Sequence, residues 1–160
     1  MKKMLVCIDD STGSWKAIEY VGDQFAGVKD LEITLFHVLL GLPPAFWDDG
    51  HFLTEEEKLA RKTVVDKWMA NQKQILEPLF QKAIKALALQ GIPSERIKTK
   101  FTSESIDAVD RCILAEAKSG DYATLVIGRC AEHSTKHFLL GSVTSRIVNS
   151  GAGMTICVVE

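Results

Sequence analysis

The sequence predicts an α/β protein with a doubly wound, five-stranded parallel sheet and helices on both faces, in a single domain over residues 1–160. Three observations predict it. Short apolar runs alternate with segments of helical periodicity in the order βαβαβαβαβ, which calls for parallel strands joined by crossover helices. The run at Met4 to Ile8 is continuously apolar, as in a strand buried on both faces, and Leu125-Val126-Ile127 is a second strand-like run. At 160 residues, 46% hydrophobic and 25% charged, the chain is long enough for a sizeable core. No repeat, low-complexity tract or shift in composition marks a second domain.

The elements follow in order. Met4 to Ile8 is the first strand. Ser11 to Ser14 supplies turn and cap residues, and Trp15, Ile18, Val21 and Phe25 recur at helical spacing before Gly27. Leu31 to Leu39 is a second strand, rich in β-formers. Gly41 to Phe52, with Pro43-Pro44 and Asp48-Asp49-Gly50, is a loop. Thr54 and Glu57 form a capping-box pattern. The long helix that follows keeps Val65, Met69, Leu76, Phe80, Ala83 and Leu87 on one stripe, with Pro78 as a kink or break and Gly91-Ile92-Pro93 as the stop. Ile97 to Phe101 is partly charged and suits a sheet edge. Ser103 or Ser105 caps a helix carrying Ile106, Val109, Ile113, Leu114 and Ala117, ended by Gly120. Thr124 to Ile127, a helix near Thr144 to Asn149 and a strand from Met154 to Val159 complete the chain.

Charge and composition exclude several classes. Net charge is −2 with no block of lysine or arginine, so no nucleic-acid or anionic-membrane surface is expected. No apolar stretch approaches membrane-spanning length, and the run in MKKMLVCIDD is too short for a signal peptide. The four cysteines are scattered without a CxxC, and Cys7 and Cys157 fall in strands as small buried hydrophobes. A reduced, cytoplasmic location is the expectation.

The chemistry concentrates in the last third. A strand ends at Gly128, and Gly141-Ser142 opens a helix. Glycine after a strand, and glycine plus a hydroxyl at a helix start, let backbone amides hold phosphate at the positive end of the helix dipole. Either glycine alone would be a turn residue. Arg129 is either a mobile positive charge for the phosphates or a solvated loop residue. Asp9 follows the first strand, and in such sheets ligands bind outside the carboxyl ends of the strands, at the switch point. A buried carboxylate there needs a hydrogen-bond partner.

Gly128-x2-Ala131-x9-Gly141-Ser142, the opening LVCIDDSTGSWKAIEY, HVL at the end of strand two and GSVTSRIV resemble the universal stress protein family over essentially the whole chain. The resemblance implies a Rossmann-like fold with strand order 3-2-1-4-5, a stress-associated role and, in one branch, binding of ATP or AMP, with Mg²⁺ as a companion ion. Carried over by position, Asp9 and Val38 would flank adenine and ribose. Ile127, Gly128, Arg129 and Ala131 would lie along the ribose and first phosphates, and Gly141, Ser142 and Val143 would hold the remaining ones. The family pattern has glycine where this chain has Ala131, whose methyl group resists positive φ. It commonly has glycine where this chain has Asp10, which adds negative charge in the same crevice. The alternative is therefore an interaction protein of the same fold that binds no nucleotide and acts through an unidentified protein partner.

Other readings fit less well. Asp9-Asp10 lacks the Asp-x-Asp-x-Thr spacing of a haloacid-dehalogenase-like nucleophile, and a response-regulator pair would need an aspartate ending the third strand. His133 and His137 beside Glu132 lack a third ligand, so no metal is expected. Cys130, beside the phosphate loop, has no resolving partner in sequence. No catalytic set stands out, and any ATP hydrolysis should be slow. The Gly41 to Phe52 loop lies on the ligand side as a lid, a partner surface or a self-packed loop. The strand Met154 to Val159, uncharged before Glu160, would sit at a sheet edge, where it invites pairing with a second copy as a homodimer, as the resemblance also implies.

Overall fold

The computed structural model describes residues 2–41, 52–104, 108–129, 141–150 and 153–160. Its elements alternate as β1 (Lys2–Cys7), α1 (Thr12–Phe25), β2 (Leu31–Leu40), α2 (Glu55–Leu89), β3 (Ile97–Glu104), α3 (Val109–Ser119), β4 (Thr124–Gly128), α4 (Ser142–Asn149) and β5 (Thr155–Val159). The strands form one sheet in the order β3-β2-β1-β4-β5, every neighbouring pair parallel. Strand order reverses at β1, which pairs with β2 through Val6–Leu35 and with β4 through Val6–Val126. This is the doubly wound fold that the element order predicts.

Alternation along the strands divides the core in two. Met4, Val6 and Ile8 of β1 and its extension, Ile33 and Leu35 of β2, and Val126 of β4 pack with Ala17, Ile18 and Val21 of α1 and with Leu76, Phe80, Ala83 and Leu87 of α2. On the opposite face Leu5, Phe36, Leu125 and Ile127 meet Ile113 and Ala117 of α3 and Ile147 of α4. The first cluster is served by helices of 14 and 35 residues, the second by helices of 11 and 8.

Local chemistry sets the boundaries of α2. Thr54 Oγ1 accepts from the Glu57 amide at 3.2 Å, and Glu57 Oε2 accepts from the Thr54 amide at 2.7 Å, so the predicted capping box is formed. The helix runs unbroken through Pro78. It ends where Gly91 takes φ +96°, the amide of Ile92 donates to Leu87 O and that of Gly91 to Ala88 O, a Schellman closure that buries Ile92. The residues that α2 buries all lie from Leu76 onward. Before Leu76 the helix leaves Leu59, Val64 and Ile75 exposed, with Val65 and Met69 half-buried.

Several boundaries differ from the sequence expectation: β1 spans Lys2–Cys7 rather than Met4 to Ile8, and β5 begins at Thr155 rather than Met154. β3 continues through Ser103 to Glu104, so Ser103 is a strand residue rather than a cap, and α3 starts from Ala108 without a side-chain cap. The other proposed cap, Ser105, and Ile106 lie outside the described residues. α4 begins at Ser142 with Gly141 as its N-cap, where the Gly141-Ser142 pair places the helix start. β3 is an edge strand, as its charges suggest. Lys98 pairs with Glu32 at 2.7 Å and Lys100 with Glu116 at 2.6 Å.

The start of α1 lies against the end of β4 with no side chain between them. A Cβ on Gly13 would stand 2.2 Å from the carbonyl oxygen of Arg129, and one on Gly128 would stand 2.1 Å from that of Gly13. Both obstacles are backbone, so relief requires moving the helix off the sheet. Gly13→Ala is expected to cost about 1–3 kcal/mol, as overpacking does, whereas Gly27→Ala, in open space without positive φ, is expected to cost none. Thermal unfolding of the two variants beside wild type checks this; equal melting temperatures for Gly13→Ala and wild type would refute the packing argument.

Candidate ligand cavity at the sheet switch point

A cavity of about 610 Å³ opens where β1 and β4 end side by side. That volume suits a drug-sized or nucleotide-sized ligand. Among the described residues its floor is Phe36, Ile113, Ile127 and Ile147, all buried side chains of the α3–α4 face. Cys7, Ile8, Val38, Val109 and Val143 continue the apolar wall. The polar groups lie at the rim: Asp9, Ser11, Ser14 and His37 on one side, Ser142, Thr144 and Arg146 on the other.

A compact hydrogen-bonded turn builds the β1 side. Asp9 Oδ1 accepts from the Ser11 amide at 2.9 Å and from the Ser11 hydroxyl, and Ser11 Oγ accepts from the Ser14 amide at 3.2 Å as the N-cap of α1. The Asp9 amide in turn donates to Ser14 Oγ at 2.9 Å. The Ser11 hydroxyl thus meets one orphan donor at the start of α1, while Asp9 and the Ser14 hydroxyl close the turn that precedes it. Asp9 is exposed, contrary to the buried carboxylate expected, because the turn lifts it off the strand end. Asp10, expected in the same crevice, is exposed and does not line the cavity.

His37 was not singled out by sequence reasoning. Its Nδ1 lies 2.7 Å from Ile8 O. A carbonyl oxygen only accepts, so Nδ1 carries the proton, and in the neutral ring Nε2 is an acceptor. Its sequence signal was the HVL at the end of the second strand, in which it directly precedes Val38.

The far side is the first turn of α4. Its N-cap Gly141 makes no side-chain cap, the turn holds no acidic residue, and the amide of Ser145 donates to Gly141 O at 2.8 Å. Ser142 and Arg146, one helical turn apart, share the face toward the cavity. Arg146 Nε stands 3.1 Å from Oδ1 of Asp110, in the first turn of α3. Arg146 is a second residue that sequence reasoning missed; the i, i+4 spacing from Ser142 was the available signal.

The remaining sequence-nominated residues divide. Val38, Ile127, Gly128 and Val143 line the cavity with Asp9 and Ser142. Gly141 adjoins the lining as the cap of α4. Arg129 turns away: its guanidinium pairs with Glu160 and its amide donates to Val159 O at 2.7 Å, which fastens the end of β4 to β5. Ala131, Cys130, His133 and His137 lie outside the described residues, as does the loop between Gly41 and Phe52. Among the described residues no group of three or more histidine, cysteine or acidic side chains gathers into a metal site. Likewise none of their helices is long and apolar enough to cross a membrane.

A doubly wound sheet with a ligand-sized crevice at its switch point defines a class of α/β binding protein. The comparisons specify it: residues 1–158 match the universal stress protein family, and the chain belongs to that family. Its fold is similar to that of the universal stress protein UspA from Lactobacillus plantarum, at TM-score 0.60 and 17% identity over 99% of this chain and 97% of that one. A universal stress protein solved in complex with cAMP is similar at TM-score 0.64 and 13% identity, over 99% and 96%. A universal stress protein family protein from Arabidopsis thaliana, solved with AMP bound, is similar at TM-score 0.53 and 14% identity, over 99% and 91%. None of the curated proteins compared matches the chain.

The cavity wall includes a thiol. Burial pushes the Cys7 thiol up from its ordinary value of 9.0, and the Asp9 carboxylate pushes the same way. The folded chain then keeps a proton that the unfolded chain releases, so this contribution to stability is present below pH 9.0 and lost as pH rises above it. Native protein at pH 8 is expected to alkylate at Cys7 at least about tenfold more slowly than denatured protein, since the thiolate is the nucleophile. Peptide mapping after iodoacetamide treatment reads this, and equal rates would contradict the protonated thiol.

Proposed function

We propose that this universal stress protein binds an adenine nucleotide, ATP or AMP, as a regulatory ligand in the switch-point cavity. The observation that carries the reading is the polarity of the site. At one rim Asp9 offers acceptors, with His37 and Val38 beside it; at the other α4 begins with uncapped amides and the Ser142 hydroxyl. Between them lies an apolar wall suited to a purine. Adenine and ribose would lie against Asp9 and Val38, Ile127 and Gly128 along the ribose, and phosphate at Gly141, Ser142 and Val143. An anion there meets orphan amides and the positive end of a helix dipole. Family membership and the relatives solved with AMP and cAMP support the choice of nucleotide. Mg²⁺ would accompany ATP. The role is binding rather than turnover, because binding ground and transition states equally accelerates nothing.

Calorimetric titration of the purified protein with AMP, and with ATP plus Mg²⁺, tests the reading after any nucleotide released on denaturation has been identified. Saturable heat at micromolar ligand is expected. Gly141→Val should abolish it, by setting a branched side chain at the start of α4, and Ala131→Gly should tighten binding. No heat at high micromolar ligand would sink the nucleotide reading and leave an interaction protein of the same fold.

We also propose a single domain that forms a homodimer through the Met154 to Val159 edge. β5 is the terminal strand of the sheet, and its residues before Glu160 carry no charge to prevent pairing with another strand. The opposite edge, β3, carries Lys98 and Lys100. Light scattering should give twice the monomer mass; a monomer at micromolar concentration would exclude the dimer.

A further inference from the structure

We propose that Arg146 is the residue through which the cavity distinguishes a phosphorylated ligand from a neutral one, with Asp110 as its positioning partner. This rests on the nucleotide reading and deepens it. Arg146 is the sole lysine or arginine among the described residues that line the cavity. Arg129, the cation nominated from sequence, is committed to Glu160 instead. Among the described residues, a ligand phosphate seated at the start of α4 therefore meets one cation, Arg146.

The geometry of α4 brings that cation to the phosphate. Arg146 follows Ser142 by one helical turn, and both line the cavity. Helical side chains lean toward the N-terminus, so the Arg146 stem runs back over the turn that contains Ser142. The side chain is 49% exposed, while Asp110 is almost entirely buried. Nε lies 3.1 Å from Asp110 Oδ1, within ion-pair range but without the alignment of a hydrogen bond. This contact holds the guanidinium from its Nε side. Among the described residues its two terminal nitrogens have no partner, and they form the planar fork that matches two oxygens of a phosphate. Asp110 itself never touches the ligand in this arrangement; it sets the direction of the fork.

Calorimetry with AMP and adenosine, on wild type, Arg146→Ala, Arg146→Lys and Asp110→Asn, tests the assignment. Arg146→Ala should weaken AMP about tenfold or more, the scale of a charge-assisted hydrogen bond, and leave adenosine within about twofold. Arg146→Lys should recover part of the AMP affinity, as a point charge without the fork. Asp110→Asn should weaken AMP less than Arg146→Ala does. Raising salt should narrow the gap between wild type and Arg146→Ala for AMP and not for adenosine. Equal losses for AMP and adenosine in both Arg146 variants would make Arg146 a structural tie between α3 and α4 and overturn the proposal. Unchanged AMP affinity in Arg146→Ala would overturn it too, while leaving the nucleotide reading intact. Wild-type protein that binds neither AMP nor ATP would refute both.

Discussion

The backbone contact between Gly13 and Gly128 is the constraint on which the rest of the site depends. It lets the first turn of α1 rest directly on the end of β4. β1 and β4 are neighbours through Met4 to Val6, so this seat fixes the chain just after β1 as well. Residues Asp9, Ser11 and Ser14 must then cross from strand to helix in a few steps, and they do so in a closed set of hydrogen bonds. A side chain at either glycine would lift the helix and open the turn. Gly128 thus serves the fold first, and it reaches the cavity because the fold puts the end of β4 there.

The same seat determines how charge is distributed. A parallel sheet sends the starts of its helices to one end, and α1, α3 and α4 all begin around the cavity. At the start of α1 the Ser11 hydroxyl, itself held by Asp9, caps the Ser14 amide. That of α3 carries the Asp110 carboxylate in its first turn. Only α4 starts with neither a side-chain cap nor an acid, and it is α4 that carries Arg146. Positive potential is therefore left at one helix of the three, opposite the Asp9 carboxylate, with the apolar floor between. The unequal faces of the sheet explain that floor. Long helices fill the α1–α2 side, whereas the short α3 and α4 leave Phe36, Ile113, Ile127 and Ile147 bordering space.

Most of the fold was legible in the sequence because it is written locally. The Thr54–Glu57 box and the Gly91 stop each depend on residues within a few positions of one another and appear as expected, and the Met4 to Ile8 run marks β1 to within two residues at either end. The cavity lining was legible as far as strand ends and helix starts reveal it, which covers Asp9, Val38, Gly128 and Ser142. What escaped was set by contacts between segments distant in sequence. Gly13 looks like any turn glycine until β4 is laid against it. Arg129 looks like a phosphate ligand until β5 brings Glu160 to it. Arg146 looks like a solvated helix residue until α3 supplies Asp110. His37 looks like a strand filler until the Ile8 carbonyl fixes its tautomer.

The Asp110–Arg146 pair illustrates why such a residue is hard to infer from stability alone. Among the described residues, Asp110 Oδ1 is buried with an unaligned ion pair and no hydrogen bond, which compensates it poorly, and hydrophobic side chains of similar size would pack that position at least as well. The pair ties the first turn of α3 to α4, so the groups that hold these two helices together also orient the one arginine among the described lining residues. A merely structural tie would be better served by two apolar side chains, which need no alignment. A charge kept at the rim, half in solvent and half held, is instead placed where an incoming anion can complete its coordination. The imperfect pairing is therefore more economically explained by the site than by the fold, since the fold already has the Gly13–Gly128 seat and two hydrophobic clusters to hold it.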